Sequence, residues 1–125
     1  MKPEDLERFK HILLQRREAL TGSLNHMQNE ALRNTRTEST GDLSSVPIHM
    51  ADVGSENFEQ DLTLGLIESE EEELRQIDAA LERIENGTFG ICERCGKQIP
   101  KARLNAIPYA TMCIDCKRAE EEAQR

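Results

Sequence analysis

Cys92-Glu-Arg-Cys95 and Cys113-Ile-Asp-Cys116 are two C-x2-C pairs with seventeen residues between them. Each short pair turns tightly enough to aim two sulfurs at one point, and the chain between them can fold back to bring the second pair across. Four thiolates in this pattern predict one Zn2+ held by Cys92, Cys95, Cys113 and Cys116. A filled tetrahedral shell leaves no position for water or substrate, so the metal is expected to be structural. Gly96 gives the backbone freedom beside the first pair for amide hydrogens to approach the sulfurs. Thiolate zinc centres carry net negative charge, and Arg94, Lys97, Lys101, Lys117 and Arg118 lie close in sequence to offset it. Disulfide pairing and iron–sulfur or redox use are the competing readings. The amino terminus lacks the apolar stretch of a signal peptide, which places the chain in the cytoplasm, where thiols stay reduced.

The elements that must position the sulfurs are helical. Leu6, Leu13, Leu20 and Met27 recur every seven residues, with Leu24 and Ala31 as an offset row and Phe9, Ile12 and Leu14 widening the seam. This periodicity predicts an amphipathic helix over about 3–34. Thr35 to Pro47 break the period, and a tip loop is expected over 35–54. A second helix, over about 55–86, starts near the capping residues Asp52 or Ser55 and carries Ile67, Leu74, Ile77, Leu81 and Ile84. It stops at Asn86-Gly87. Phe58, Leu62 and Leu66 follow a shifted register, and Glu70 to Glu73 read as a solvated face. The expected fold is mainly α: a long antiparallel coiled-coil helical hairpin over 1–87, then a small four-cysteine zinc finger with a C-terminal helix over 88–125. The finger's own core is expected from Phe89, Ile91, Ile99, Leu104, Ile107 and Tyr109, with Pro100 opening a short helix and Pro108 ending it.

Composition suits this plan. Of 125 residues, 37% are hydrophobic and 32% charged, with one Tyr and no Trp. A narrow helical seam needs less apolar area than a compact core and tolerates more charge. The net charge of −8 is unevenly spread. Residues 1–37 hold seven basic and five acidic side chains, residues 38–87 two and fourteen, and residues 88–118 six and two. An acidic middle repels nucleic-acid phosphates, so a protein surface is the expected partner. No apolar run reaches the length of a membrane span. No serine triad, phosphate loop or open metal site points to an enzyme.

Thr88-Phe-Gly-Ile-Cys-Glu-Arg-Cys-Gly96, Ala102-Arg-Leu-Asn-Ala106 with Pro108, and Met112-Cys-Ile-Asp-Cys-Lys117 together resemble the zinc finger of the DksA/TraR family. Ile77 to Gly87 resembles the helix that enters that finger, and Phe9 to Leu14 and His26 to Ala31 resemble the first arm more loosely. The resemblance implies a factor that binds RNA polymerase. Its hairpin would enter the secondary channel, acidic tip residues would reach towards the catalytic centre, and the finger would stay outside. An ungapped alignment from the finger places His49-Met-Ala-Asp-Val-Gly54 over the family's Asp-x-x-Asp-x-Ala tip. Asp52 matches, whereas His49 stands for the first Asp and Gly54 for the Ala. The tip residues implied are Asp52, His49, Gly54 and Ser55, and a tip of this type resembles the family's general stress branch. Positions implied to meet the alarmone ppGpp are Ser69, Glu73, Gln76, Ile107 and Lys117. Only Lys117 is cationic, so no strong ppGpp effect is expected.

The functional expectation is therefore a monomeric transcription regulator acting on RNA polymerase without sequence-specific DNA binding. Two further classes stay open: an adaptor or stress protein binding another protein partner, and a zinc-ribbon nucleic-acid binder using the finger's basic residues. Asp52 is either a tip acid or a helix cap. His49 is either an exposed loop histidine or an added ligand or pH switch.

Overall fold

The computed structural model describes residues 1–41 and 50–125, with side chains over 1–33 and 58–125. Four helices follow in order: α1 (Pro3–Gly41), α2 (Met50–Asn86), α3 (Lys101–Ala106) and α4 (Ile114–Ala123). Among the described residues the only strand-like pairing is an isolated antiparallel bridge between Ile91 and Gln98. The fold is thus mainly α, a helical hairpin with a four-cysteine finger and a C-terminal helix.

Both long helices extend further than the arms expected over 3–34 and 55–86. Thr35 to Thr40 contain hydroxyl and β-branched side chains but neither Gly nor Pro. Such residues cost a helix only a few tenths of a kcal/mol each, roughly, against about 1 for Gly and 3 for Pro. Over the described residues α1 is helical to Gly41 and α2 is helical from Met50. Asp52 consequently lies within α2 rather than at its cap. At the other end Gly87 adopts φ +75°, and the N–H groups of Thr88 and Phe89 return to the Arg83 carbonyl at 2.9 and 3.2 Å, closing α2 where Asn86-Gly87 predicts a stop.

The chain forms two compact units. The first comprises Met1–Glu18 and Arg75–Arg125. Its core gathers Phe9 and Leu13 of α1, Ile77 and Ala80 of α2, and Phe89, Cys92, Ile99, Leu104, Pro108 and Ala110 of the finger. The Phe9 and Phe89 rings meet at 5.6 Å between centroids with a 47° tilt, a favourable aromatic geometry that joins the first helix to the finger. Arg17 Nε lies 2.6 Å from Asp78 Oδ1 and Lys10 Nζ 4.0 Å from Glu85 Oε1, so the two helices run antiparallel here. Lys101 Nζ reaches Asp5 Oδ2 at 2.7 Å, and Arg8 donates to Asn105 at 3.1 Å. The bond from Lys101 holds the Asp5 carboxyl below its ordinary range. Ile91 and Ile107, expected in the finger core, are instead 45% and 37% exposed. Both flank positions where the chain turns, and Pro108 and Ala110 take the interior places.

The second unit is Ala19–Leu74. Among its described residues only Leu24 and Ile67 are buried apolar side chains, with Leu20, Met27, Ala31 and Leu74 half-buried. Polar bonds supplement this thin seam: Ser23 Oγ donates to Glu70 Oε1 at 3.2 Å and Gln28 Nε2 to Glu71 Oε1 at 3.4 Å. The acidic run is therefore not wholly a solvated face. Glu70 and Glu71 follow Ile67 by three and four positions and so share its side of the helix. Phe58, Leu62 and Leu66 point outward, the shifted register expected from their spacing.

Burial places stability unevenly. Ile77→Ala, at a fully buried site, is expected to cost about 2–5 kcal/mol. Leu14→Ala, at a site 46% exposed, is expected to cost less than about 1 kcal/mol. Urea melts of the zinc-loaded protein measure both, and equal midpoint shifts would refute this placement of the core.

Candidate metal centre

Each cysteine pair occupies a different local structure. In the first, the Gly96 N–H donates to the Cys92 carbonyl at 3.0 Å and the Cys92 N–H to the Lys97 carbonyl at 2.8 Å. That closed turn requires Gly96 at φ +74°, a conformation that L side chains rarely adopt. The second pair sits at the start of α4, with Cys113 at the cap position and the Lys117 N–H donating to its carbonyl at 3.0 Å. Unpaired amides and the positive end of the helix dipole favour thiolates there. The two halves are tied by the Glu93 N–H, which donates to the Thr111 carbonyl at 2.9 Å.

The result brings the four predicted ligand residues together. Their sulfurs all lie within 4.8 Å of one another, with Cys95 Sγ and Cys113 Sγ 3.9 Å apart. Tetrahedral Zn–S bonds of about 2.3 Å set neighbouring sulfurs somewhat under 4 Å apart, so the set fits one zinc with small adjustments. All four thiols are free rather than paired as disulfides. Backbone N–H groups of Cys95, Cys113 and Arg94 hold the Cys92 thiol down to about 6, against the opposing effect of burial. Hydrogen bonding to the Cys113 thiol, burial and the neighbouring thiols push Cys116 up to about 12. Zinc binds the thiolate form of cysteine, so metal loading releases protons from the site.

Residues 87–122 match the prokaryotic dksA/traR C4-type zinc finger. Similarity extends well beyond the finger. The RNA polymerase-binding transcription factor DksA of Caulobacter vibrioides is 33% identical, with 100% of this chain and 82% of that protein covered. The chain belongs to the DksA/TraR family. General stress protein 16O of Bacillus subtilis is 32% identical over 95% of this chain and 70% of its own length. Among solved structures, transcription factor DksA2 from Pseudomonas aeruginosa superposes with a TM-score of 0.79 at 30% identity, covering 100% of this chain and 89% of that one. The DksA/TraR finger binds a single zinc ion, and the clustered cysteines are positioned to hold it.

The tip residues stand differently. His49 lies outside the described residues. Asp52, Gly54 and Ser55 fall in the backbone of α2, and their side chains lie outside the described part. Two residues that the pattern reading overlooked sit close behind the metal ligands: Arg83 and Arg103, both half-buried. Burial draws the Arg83 guanidinium below its ordinary range. The available signal was positional. Arg83 falls one turn beyond Ala80 on the buried side of α2, and Arg103 immediately precedes the buried Leu104.

Zinc binding to four thiolates competes with protons, so affinity falls with acid. Lowering pH from about 7.5 to about 5 is expected to release the zinc, with the released metal read by a chromogenic chelator. A zinc affinity that does not change across that range would exclude an all-thiolate site.

Proposed function

We propose that this chain is a transcription regulator that binds RNA polymerase directly, with the hairpin end in the secondary channel and Asp52 near the catalytic centre. The observation that carries this reading is full-length similarity to proteins named as RNA polymerase-binding transcription factors, finger and helices alike. Charge supports it. The second helix is strongly acidic, which disfavours direct attachment to DNA phosphates and leaves a protein surface as the partner. No described helix is long and apolar enough to cross a membrane. In this reading the protein works in the cytoplasm as a monomer, has no enzymatic activity of its own and reads no DNA sequence. The hairpin, 1–87, delivers the tip, and the finger, 88–125, anchors it outside.

The first test is binding of the zinc-loaded protein to core RNA polymerase in competition with a known secondary-channel factor. Mutual displacement is the expected result. Failure to bind at micromolar concentration would move the function to an adaptor with another protein partner. Asp52→Asn is then expected to remove the effect on transcription while leaving polymerase binding and helical content intact.

A second expectation concerns ppGpp. Ser69 and Gln76 are exposed and uncharged, Glu73 is acidic, and Ile107 is apolar, which leaves Lys117 as the lone cation of the set. A ligand carrying two diphosphate groups needs several cationic partners, so transcription assays with this protein are expected to show no enhancement by ppGpp.

A further inference from the structure

The chain from Tyr109 to Met112 leads into the second cysteine pair, and its carbonyls are held by donors from three separate elements. Arg83 Nη2 of α2 reaches the Tyr109 carbonyl at 3.5 Å, the Glu93 N–H of the first pair reaches the Thr111 carbonyl at 2.9 Å, and Arg103 Nε of α3 reaches the Met112 carbonyl at 2.8 Å. From α1, the Arg16 guanidinium lies 5.7 Å from the centre of the Tyr109 ring. The bond from Arg103 is the shortest of these contacts, and its acceptor lies on the peptide that joins Met112 to Cys113.

Its position has a specific consequence. The Met112 carbonyl belongs to the same peptide group as the N–H of Cys113, one of the four clustered cysteines. The peptide is trans and planar, so its C=O and N–H point in opposite directions. Fixing the oxygen with a charged donor therefore fixes the plane of the peptide from which the Cys113 side chain departs. Arg103 is itself held. Its N–H donates to the Pro100 carbonyl at 3.0 Å, its carbonyl accepts from the Ile107 N–H at 2.8 Å, and the next residue, Leu104, is fully buried.

We propose that Arg103 is a positioning residue of the metal centre: by holding the Met112 carbonyl it orients the peptide that leads into Cys113 and sets the approach of that ligand to the other three. Arg103 acts through one intervening peptide. Hydrogen-bond partners behind metal ligands commonly govern affinity by about 10–100-fold. Arg94 holds the second pair in a similar way, donating to the Cys116 carbonyl at 3.2 Å, a longer bond than that from Arg103.

The test measures zinc transfer from the protein to a chromogenic chelator, with Arg125→Ala as a control that removes an exposed charge beyond α4. Arg103→Ala is expected to speed transfer by about tenfold, with Arg125→Ala within about twofold of the parent protein. Substitution with Co2+ gives a second readout, because the thiolate charge-transfer and ligand-field bands report the sulfur geometry. These bands should shift in Arg103→Ala and not in Arg125→Ala. Equal transfer rates for the two variants, or unchanged cobalt bands in Arg103→Ala, would overturn the proposal. Should Arg103→Ala lose helical circular dichroism even with zinc bound, Arg103→Lys decides. A rate between those of the parent and Arg103→Ala supports positioning. The parent's rate with a lowered melting temperature reduces Arg103 to a packing residue and refutes it.

Discussion

Bringing four sulfurs to one point is the constraint on which the finger depends. Between Phe89 and Cys113 the buried apolar side chains are few, and a segment with so little core cannot offset the conformational entropy of its own ordering. Structural zinc supplies folding free energy on the order of 10 kcal/mol or more in small fingers. Every local feature of the segment serves that gathering. Gly96 permits the tight turn, α4 offers amides at Cys113 and Cys116, and the bond from Glu93 to Thr111 closes the two halves together. The finger in turn gives the hairpin its anchor, because Phe89 meets Phe9 and the α2 stop at Gly87 delivers the chain straight to the first cysteine pair.

Electrostatics divide the molecule along its sequence. Basic residues dominate the finger, where thiolate charge must be offset, and acidic residues dominate α2. The ion pairs between the helices, such as Arg17 with Asp78, are half-exposed and each contribute at most about 1 kcal/mol. Their larger effect is on pairing direction. A mildly basic first helix against an acidic second one disfavours like-helix association and favours the intramolecular hairpin. The same acidic excess remains available to a partner of opposite charge.

Much of this was legible in the residues themselves. The paired C-x2-C spacing singled out the four cysteines that the structure brings together, because four thiols in that pattern have few uses other than holding zinc, and the seven-residue rows identified Leu13, Leu24, Ile67 and Ile77 as seam positions. Boundaries were less legible. Thr, Ser and Asn weaken a helix without ending it, so Thr35 to Thr40 read as loop although nothing there forbids helix. Charged residues misled in both directions. Glu70 and Glu71 look solvated as a run but bond across the seam, and Arg83 and Arg103 look like surface charge but hold carbonyls in the finger. A pattern of types reports which face a residue shares. It does not report whether a long polar side chain bends back to a backbone oxygen.

The distribution of buried surface bears directly on function. Unit Met1–Glu18 with Arg75–Arg125 contains nearly all the buried apolar side chains among the described residues, while Ala19–Leu74 contributes Leu24 and Ile67. Segments with few buried contacts open locally at lower free energy than a well-packed core, and binding elements are commonly drawn from them. A thin seam supplemented by Ser23–Glu70 and Gln28–Glu71 bonds can repack against a partner at little cost, since those bonds are exchangeable for others of equal strength. Phe58, Leu62 and Leu66, outward-facing at successive four-residue intervals, offer apolar area that the hairpin itself leaves uncovered. The zinc site and the aromatic core thus concentrate stability in the unit of Met1–Glu18 and Arg75–Arg125, and the thin seam of Ala19–Leu74 is left the more adaptable of the two.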